Sequence, residues 1–120
     1  MTQTTQLGQA AETRVAEYLE GRSYKILGRN VRTRYYEIDI IAQKNNTIIF
    51  TEVKYRKLAA FGGGEAAINV SKRARMINAA SMWLADHSAY AAMQPRIDVL
   101  TVDGSSGDIV HYENAIQFDS

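Results

Sequence analysis

Two strand-like segments, residues 35–43 and 47–56, constrain the fold of this chain more than any other feature of its sequence. Both are rich in Ile, Val, Phe and Tyr, which are typical of β-strands. Between them stand Asn45 and Asn46, and Asn tolerates the positive φ angle of a tight turn. The pattern therefore predicts an antiparallel hairpin with a two-residue turn.

The register of this hairpin places acidic side chains in positions where apolar ones would be expected. Asp39 falls opposite Glu52, and Glu37 falls opposite Lys54. Because side chains alternate along a strand, all four are expected on one face of the sheet. Like charges facing each other across a ladder are destabilising, and the cost rises with burial. A cation must offset them, and the candidates are Lys54, a nearby arginine or a divalent metal ion.

The metal alternative has a specific chemistry. Mg²⁺ prefers oxygen ligands and keeps several of its waters, so it needs few protein carboxylates. An Asp–Glu pair beside a lysine is suited to metal-assisted hydrolysis of a phosphodiester, in which the ion neutralises the phosphate and the lysine orients water or stabilises charge. The structural alternative is an ion pair of Lys54 with Glu37 or Glu52 on a solvated face.

Residues 7–21 predict an amphipathic helix whose apolar stripe contains one acid. The inward positions are Gly8, Ala11, Glu12, Val15, Ala16 and Leu19. An inward carboxylate is costly unless it is paired or binds a metal. Glu12 is therefore a third candidate acid for the same site, or the partner of an arginine at the edge of the core.

The rest of the chain completes an α+β pattern. Further strands are predicted at 24–31, 96–102 and 109–113, a loop with three glycines at 58–70, and a second helix at 72–88 capped by Ser71. The inward positions of that helix are predicted to be Ala74, Ile77, Ala80, Ser81 and Leu84. The order α-β-β-β-α-β predicts a single domain over residues 1–120, an α/β sandwich with helices against a mixed sheet.

Three polar residues outside the hairpin are interpreted as structural. Asp98 stands two positions after Arg96 on a predicted strand, which favours an ion pair over a catalytic role. His87 and His111 lack the partner spacing of a zinc site and are expected on the surface.

The formal net charge of +1 hides a strong asymmetry. Residues 22–75 contain twelve Lys and Arg against four acids, and the remainder contains two against nine. A polyanionic partner bound by the central segment is one interpretation, and a chance cluster of solvated charges is the other. Lys72, Arg73 and Arg75 fall in the first turn of the second helix, where the helix dipole disfavours cations unless an anion such as phosphate binds. A solvated basic turn is the alternative there.

Composition also bears on the compartment. The chain contains no cysteine, which excludes disulfides and thiolate metal sites. No segment approaches the roughly 20 apolar residues of a membrane span, and the first residues do not resemble a signal peptide. A cytoplasmic protein without a membrane partner is expected.

These motifs resemble the restriction-endonuclease-like PD-(D/E)xK nuclease superfamily, and most closely its YraN-like bacterial family, which is similar to archaeal Holliday junction resolvases. The matching pieces are GQAAE (8–12), RN (29–30), EIDIIA (37–42), FTEVKYR (50–56), Lys72 in VSKRAR, and RIDVL (96–100). This sequence departs from the family pattern at two places, where Tyr36 and Ala11 stand in place of family glycines.

The resemblance implies roles for individual residues. Asp39, Glu52 and the carbonyl of Val53 would bind Mg²⁺ or Mn²⁺, Lys54 would be the catalytic lysine, and Glu12 would match a glutamate of resolvase-type sites. The basic residues expected to bind nucleic acid are Arg56, Lys72, Arg73 and Arg75.

The function expected from these observations is a Mg²⁺-dependent DNA endonuclease acting on branched or damaged DNA. One alternative is a non-catalytic nucleic-acid-binding module that retains the nuclease fold. A second alternative is a small interaction protein whose charges are structural. If the substrate is a four-way junction, a homodimer is expected, because two cuts are needed across a two-fold axis.

Overall fold

The computed structural model describes residues 3–56 and 70–118 of the chain. Their helices and strands are α1 (Gln3–Gly21), β1 (Lys25–Arg32), β2 (Glu37–Lys44), β3 (Thr47–Arg56), α2 (Val70–Asp86), a 3-10 helix (Ser88–Tyr90), β4 (Gln94–Asp103) and β5 (Ile109–Ile116). The predicted order is present, and the last strand is longer than predicted. The predicted loop at 58–70 lies outside the described residues except for Val70, which begins α2.

The five strands form one sheet in the order β1-β2-β3-β4-β5. Strands β3 and β4 are parallel, and the other neighbours are antiparallel. Parallel neighbours require a crossover connection, and α2 lies between β3 and β4 in the chain. The predicted α+β class with a mixed sheet is therefore confirmed.

The β2–β3 hairpin forms in the predicted register. Asn45 has φ of 54° in the turn, and Ile40 pairs with Thr51. The ladder ends at that pair, so the expected cross-strand pairs of Asp39 with Glu52 and of Glu37 with Lys54 do not form.

Two contacts account for the end of the ladder. The Val53 N–H donates to the Asp39 carboxylate at 2.7 Å, so a side chain replaces the backbone acceptor. Glu37 instead pairs with Arg32 on the neighbouring strand, at 3.1 Å from Oε1 to Nε.

Each face of the sheet packs against one helix. The buried residues of the first face are Ala11, Val15, Ala16 and Leu19 of α1 with Ile40, Ala42, Ile49, Leu100 and Val102 of the sheet. Those of the second face are Met76, Ala79, Ala80 and Trp83 of α2 with Ile38, Ile41, Ile48, Phe50, Ile97 and Ile116. The apolar stripe predicted for α1 is confirmed at Ala11, Val15, Ala16 and Leu19, and Glu12 is half-buried, but Gly8 is exposed and its predicted inward position was wrong.

The inward face predicted for α2 was wrong in part. Ala74 and Ser81 are exposed, whereas Met76 and Trp83 are buried. Burial of these large side chains removes more apolar surface from water than burial of alanine or serine, which favours the observed rotation of the helix. The helix also begins at Val70, so Ser71 lies within its first turn and does not cap it.

Asp98 has the structural role that was predicted for it. Its carboxylate is fully buried and accepts hydrogen bonds from Arg96 Nε and Nη2, both at 2.9 Å, and from the Asn114 N–H at 2.9 Å. His111 Nε2 lies 2.7 Å from the same carboxylate. Burial alone would raise the pKa of Asp98, but these hydrogen bonds outweigh it and lower the pKa. Removing one partner of such a buried ion pair costs about 3–5 kcal/mol.

The two histidines differ in their environment. His87 is exposed and stacks on Trp83 with ring centroids 3.9 Å apart, which agrees with the predicted surface position. The prediction for His111 was wrong, because its side chain is only 8% exposed beside Asp98. In the part of the chain that the structure describes, no helix is long and apolar enough to cross a membrane.

Candidate active site

Two grooves meet at Asp39, at the point where β2 and β3 part. The α2 groove, about 470 Å³, lies between the β1–β2 turn and α2 and is lined by Thr33, Arg34, Tyr35, Tyr36, Glu37, Asp39, Glu52, Lys72, Arg75, Met76 and Asn78. The α1 groove, about 650 Å³, lies between α1 and β1 and is lined by Gly8, Gln9, Glu12, Thr13, Arg29, Asn30, Arg32, Asp39 and Val53. Asp39 therefore faces both.

The Asp39 carboxylate carries more negative charge around it than its partners neutralise. Burial raises the pKa of Asp39 from 3.8 to about 6, and the hydrogen bond from the Val53 N–H opposes this rise only in part. The charges of Glu52, Glu12 and Glu37 contribute to this rise in the pKa of Asp39, in the same direction as burial. A cation bound here would relieve this crowding.

Glu52 is held by two lysines. Its Oε1 lies 2.6 Å from the Nζ of Lys72 on α2 and 3.6 Å from the Nζ of Lys54 on its own strand. All three side chains are largely buried, at 13–20% exposed. The Glu52–Lys54 ion pair expected under the structural alternative is therefore present, and Lys72 adds a shorter contact.

The two lysines have different proton affinities. Burial lowers the pKa of Lys54 to about 8, and hydrogen bonding with Lys72 and the positive charges of Lys72 and Arg56 act in the same direction. Burial also acts to lower the pKa of Lys72, but hydrogen bonds with Glu52 and Lys54 outweigh it and raise that pKa. Lys72 therefore keeps its proton, and Lys54 is the lysine that loses one near neutral pH.

Glu12 lies in the α1 groove and not beside Glu52. Its Oε1 is 3.6 Å from the Nε of Arg29, and Arg29 Nη2 donates to Thr13 Oγ1 at 2.7 Å. Burial raises the pKa of Glu12, and Arg29 and Arg32 offset part of the rise. The acids were expected together on one face of the sheet. They line two grooves instead, because α1 and α2 pack on opposite faces of the sheet.

The basic residues predicted to bind nucleic acid are divided by the fold. Lys72 and Arg75 line the α2 groove. Arg73 turns away from it, with Nη2 donating to the Gln117 carbonyl at 3.3 Å beyond the end of β5. Arg56 ends β3 and lies close enough to Lys54 to affect its pKa.

Three residues at the grooves have no role in the sequence prediction. Arg29 forms an ion pair with Glu12. Asn30 has φ of 50° and lies between Arg29 and Val31, whose partners on β2 are the two neighbours of Asp39 in the chain. Arg29 and Asn30 are adjacent polar residues within a predicted strand, and this unusual polarity was the signal that could have identified them as site residues. The third is Tyr35 at the tip of the β1–β2 turn, and its one signal in the sequence is an aromatic residue next to a basic one.

The donor atoms fit a hard divalent cation. Within residues 3–56 and 70–118, no group of three or more His, Cys, Asp or Glu side chains is arranged to hold a metal ion. Mg²⁺ and Mn²⁺ accept one or two carboxylates, and the remaining positions are filled by water and substrate phosphate. The carboxylate oxygens of Asp39 and Glu52 are donors of the type that such an ion prefers, whereas zinc more often takes nitrogen and sulfur ligands.

Comparison with known proteins gives a consistent result. The model of the family described as "Uncharacterised protein family UPF0102" matches residues 11–102. A UPF0102 protein of Halorhodospira halophila is 43% identical over 99 residues, which cover 82% of this chain and 78% of that protein. The UPF0102 protein VP0448 of Vibrio parahaemolyticus is 35% identical over 111 residues, covering 92% of each chain. The UPF0102 protein YraN of Escherichia coli is 36% identical over 103 residues, covering 85% of this chain and 79% of that protein.

A solved structure is also similar. It is SfsA of Pyrococcus furiosus in complex with Ca²⁺, with a TM-score of 0.37 and 17% sequence identity. The match covers 96% of this chain and 65% of that one, so this chain spans less than two thirds of its length.

Proposed function

This chain belongs to the UPF0102 family, in agreement with the YraN-like resemblance, and we propose that it is a Mg²⁺- or Mn²⁺-dependent DNA endonuclease. The observation that carries the proposal is the arrangement around the end of the β2–β3 ladder. There Asp39 and Glu52 line one groove with Lys72 and Arg75, and Lys54 contacts Glu52. Carboxylates that crowd one another beside phosphate-binding cations are what metal-assisted phosphodiester hydrolysis requires.

Asp39, Glu52 and the Val53 carbonyl would hold the ion. When bound, the ion would neutralise the scissile phosphate and lower the pKa of a water molecule. Asp39 is kept in place by the Val53 N–H at 2.7 Å, which fixes one ligand relative to the backbone of the next. Glu52 is oriented by Lys72 at 2.6 Å.

The lysines and arginines would act on the substrate. Lys54, with its pKa of about 8, exchanges a proton near neutral pH and can orient the attacking water or stabilise developing charge. Lys72 and Arg75, at the beginning of α2, would contact the phosphates of the strand. The expected role of Glu12 is indirect, since it lies in the α1 groove and contacts Arg29.

One observation favours the alternative of a non-catalytic nucleic-acid-binding module. Lys72 and Lys54 neutralise Glu52 within the protein itself, at 2.6 and 3.6 Å. A carboxylate paired in this way is stable without a metal ion. In that case the same groove would bind DNA through its cations and leave it uncut.

The test is cleavage of linear duplex, single-stranded, flapped and four-way DNA with Mg²⁺, Mn²⁺ or a chelator. We expect cleavage only with metal, and its loss in Asp39→Asn and Glu52→Gln, which preserve side-chain size but remove anionic ligands. Lys54→Ala should leave metal binding intact and slow the chemical step by about 10²–10⁴-fold. Glu17→Gln, an exposed position on α1 outside both grooves, is the matched control and should cut normally.

Each other outcome leads to a different conclusion about the protein or about the site. Binding without cleavage under all conditions would establish the non-catalytic module. Absence of both binding and cleavage would favour an interaction protein. Cleavage that persists in Glu52→Gln would come from a contaminating nuclease or from a different site on this chain, and either result would contradict the assignment of Glu52.

A further inference from the structure

The wall of the α2 groove opposite α2 contains two aromatic residues, Tyr35 and Tyr36. It is the β1–β2 turn, residues 33–36, and Tyr35 at its tip is 69% exposed. Among the described residues the large exposed hydrophobic side chains are Leu7, Tyr35, Val70 and Val110. Tyr35 is the aromatic one of these four, and it lines the groove that contains Asp39 and Glu52.

Hydrogen bonds fix the backbone of the turn that carries this ring. Thr33 Oγ1 accepts hydrogen bonds from the N–H groups of Tyr35 at 3.0 Å and Tyr36 at 3.1 Å. The Thr33 N–H donates to the Tyr36 carbonyl at 2.9 Å, which closes the turn. Tyr36 packs against the hydrophobic core on the α2 side of the sheet, so the residue that follows Tyr35 is held in place. A pre-ordered backbone reduces the conformational entropy that is lost when Tyr35 binds a ligand.

The chemistry around Tyr35 matches a nucleotide. The Arg34 guanidinium lies 6.0 Å from the centre of the Tyr35 ring, and Lys72 and Arg75 line the same groove. An exposed π-face beside several cations offers stacking to a base and ion pairing to its phosphate. A volume of about 470 Å³ lies within the range of about 300–1,000 Å³ typical of sites for small organic ligands.

A continuous duplex does not offer such a ligand. Its bases are stacked on one another, and a side chain at the surface reaches their edges and not their faces. A single-stranded or unpaired nucleotide exposes the face of its base and costs little to place against a ring.

We propose that Tyr35 stacks on an unpaired base next to the phosphate that Lys72 and Arg75 contact, beside Asp39 and Glu52. The substrate class is therefore DNA with a single-stranded or unpaired nucleotide at the site, and continuous duplex is excluded from it. This inference rests on the proposed function, in that it takes the α2 groove as the DNA-binding groove.

The test measures binding in a chelator, so that cleavage does not interfere. Fluorescence anisotropy is recorded with a single-stranded oligonucleotide, a duplex with one unpaired base, and a continuous duplex. Tyr35→Ala should weaken binding of the first two by about 5- to 100-fold, the effect of losing one base–aromatic stack, and change duplex binding by less than about twofold. Tyr35→Phe should bind as the natural protein does.

Two further variants separate stacking from other effects. Tyr35→Leu keeps an apolar side chain without a π-face, so it should behave like Tyr35→Ala. Val110→Ala removes another exposed apolar group, 47% exposed, on β5 at the opposite edge of the sheet from β1, and should change nothing. A 2-aminopurine at the unpaired position should be quenched by the protein and by Tyr35→Phe, but not by Tyr35→Leu.

The proposal is overturned if Tyr35→Ala leaves single-strand binding unchanged, or if it weakens all three DNAs equally. In both cases the DNA-binding part of the proposed function is unaffected, because DNA is still bound, and cleavage is tested separately. If the natural protein binds none of the three DNAs, the proposed function fails and this inference fails with it.

Discussion

A single carboxylate, Asp39, decides much of the behaviour of this site. It accepts the Val53 N–H and lies near Glu52 and Glu12, and its pKa is raised to about 6 mainly by burial. Because the folded protein holds this proton more tightly than the unfolded chain, the folded state binds more protons between about pH 4 and pH 6. Ionisation of Asp39 therefore costs stability, and the cost grows through that window as pH rises.

This predicts that Asp39→Asn stabilises the metal-free protein at neutral pH. Asn keeps an oxygen that accepts the Val53 N–H but carries no charge. Above about pH 6 the variant should exceed the natural protein by up to about 3 kcal/mol in free energy of unfolding. The difference should shrink as pH falls from 6 to 4 and then disappear. Urea denaturation across this range in a chelator measures it.

Magnesium provides the complementary measurement. Mg²⁺ should raise the free energy of unfolding of the natural protein, since it binds the folded state, and should leave Asp39→Asn nearly unchanged. Glu17→Gln, an exposed position on α1, serves as the control and should follow the natural protein. If the difference in free energy of unfolding between Asp39→Asn and the natural protein stays constant with pH, or widens toward acid, the buried charge of Asp39 is not its cause.

At the scale of the elements, the beginning of α2 determines which cations reach the α2 groove. Its first turn contains no acid, so a bound phosphate would complement both the helix dipole and the side chains. Arg75 lines the groove, whereas Arg73 donates to the Gln117 carbonyl. Two arginines separated by one residue are thus directed to different parts of the surface.

This arrangement predicts different effects of two similar substitutions. Arg75→Ala should weaken DNA binding at low salt and reduce the slope of log K against log salt by about one, the effect of one lost phosphate contact. Arg73→Ala should leave the slope unchanged within error. Binding titrations at several salt concentrations measure both, and equal slopes for the two variants would mean that the helix presents its cations differently.

At the scale of the whole molecule, the charge asymmetry of the sequence corresponds to the two halves of the sheet. The basic segment, residues 22–75, contains β1, β2, β3 and the beginning of α2. β4 and β5, with the acids of the C-terminal part, complete the other edge. The grooves open beside the basic half, where a polyanion is attracted.

The chain contains one Asp39–Glu52 pair, which under the proposed function would provide one cut. If a four-way junction is a substrate, we predict two chains per junction, related by a two-fold axis. Sedimentation velocity with labelled junction and increasing protein should then show a 2:1 complex. A linear duplex of equal length is the control for non-specific loading. A strictly 1:1 complex with the junction would contradict the resolvase-type arrangement.

The sequence by itself determined the elements and their order. Alternating apolar residues and the Asn45–Asn46 turn are local features, and local features fix the β2–β3 register up to the Ile40–Thr51 pair. The apolar stripe of α1 was likewise readable, because its period requires no knowledge of the partner surface. The boundaries of helices and strands differed by a few residues, since the ends depend on tertiary packing.

The tertiary structure alone decided how the charged residues are grouped. Asp39 accepts a hydrogen bond from the Val53 N–H, Glu12 pairs with Arg29, and Lys72 reaches Glu52 from α2. Such contacts join residues far apart in sequence, and they are chosen by the cost of burying a charge without a partner. That cost depends on which surfaces pack together, and so it is absent from the pattern of the sequence and fixed only when the two helices cover the two faces of the sheet.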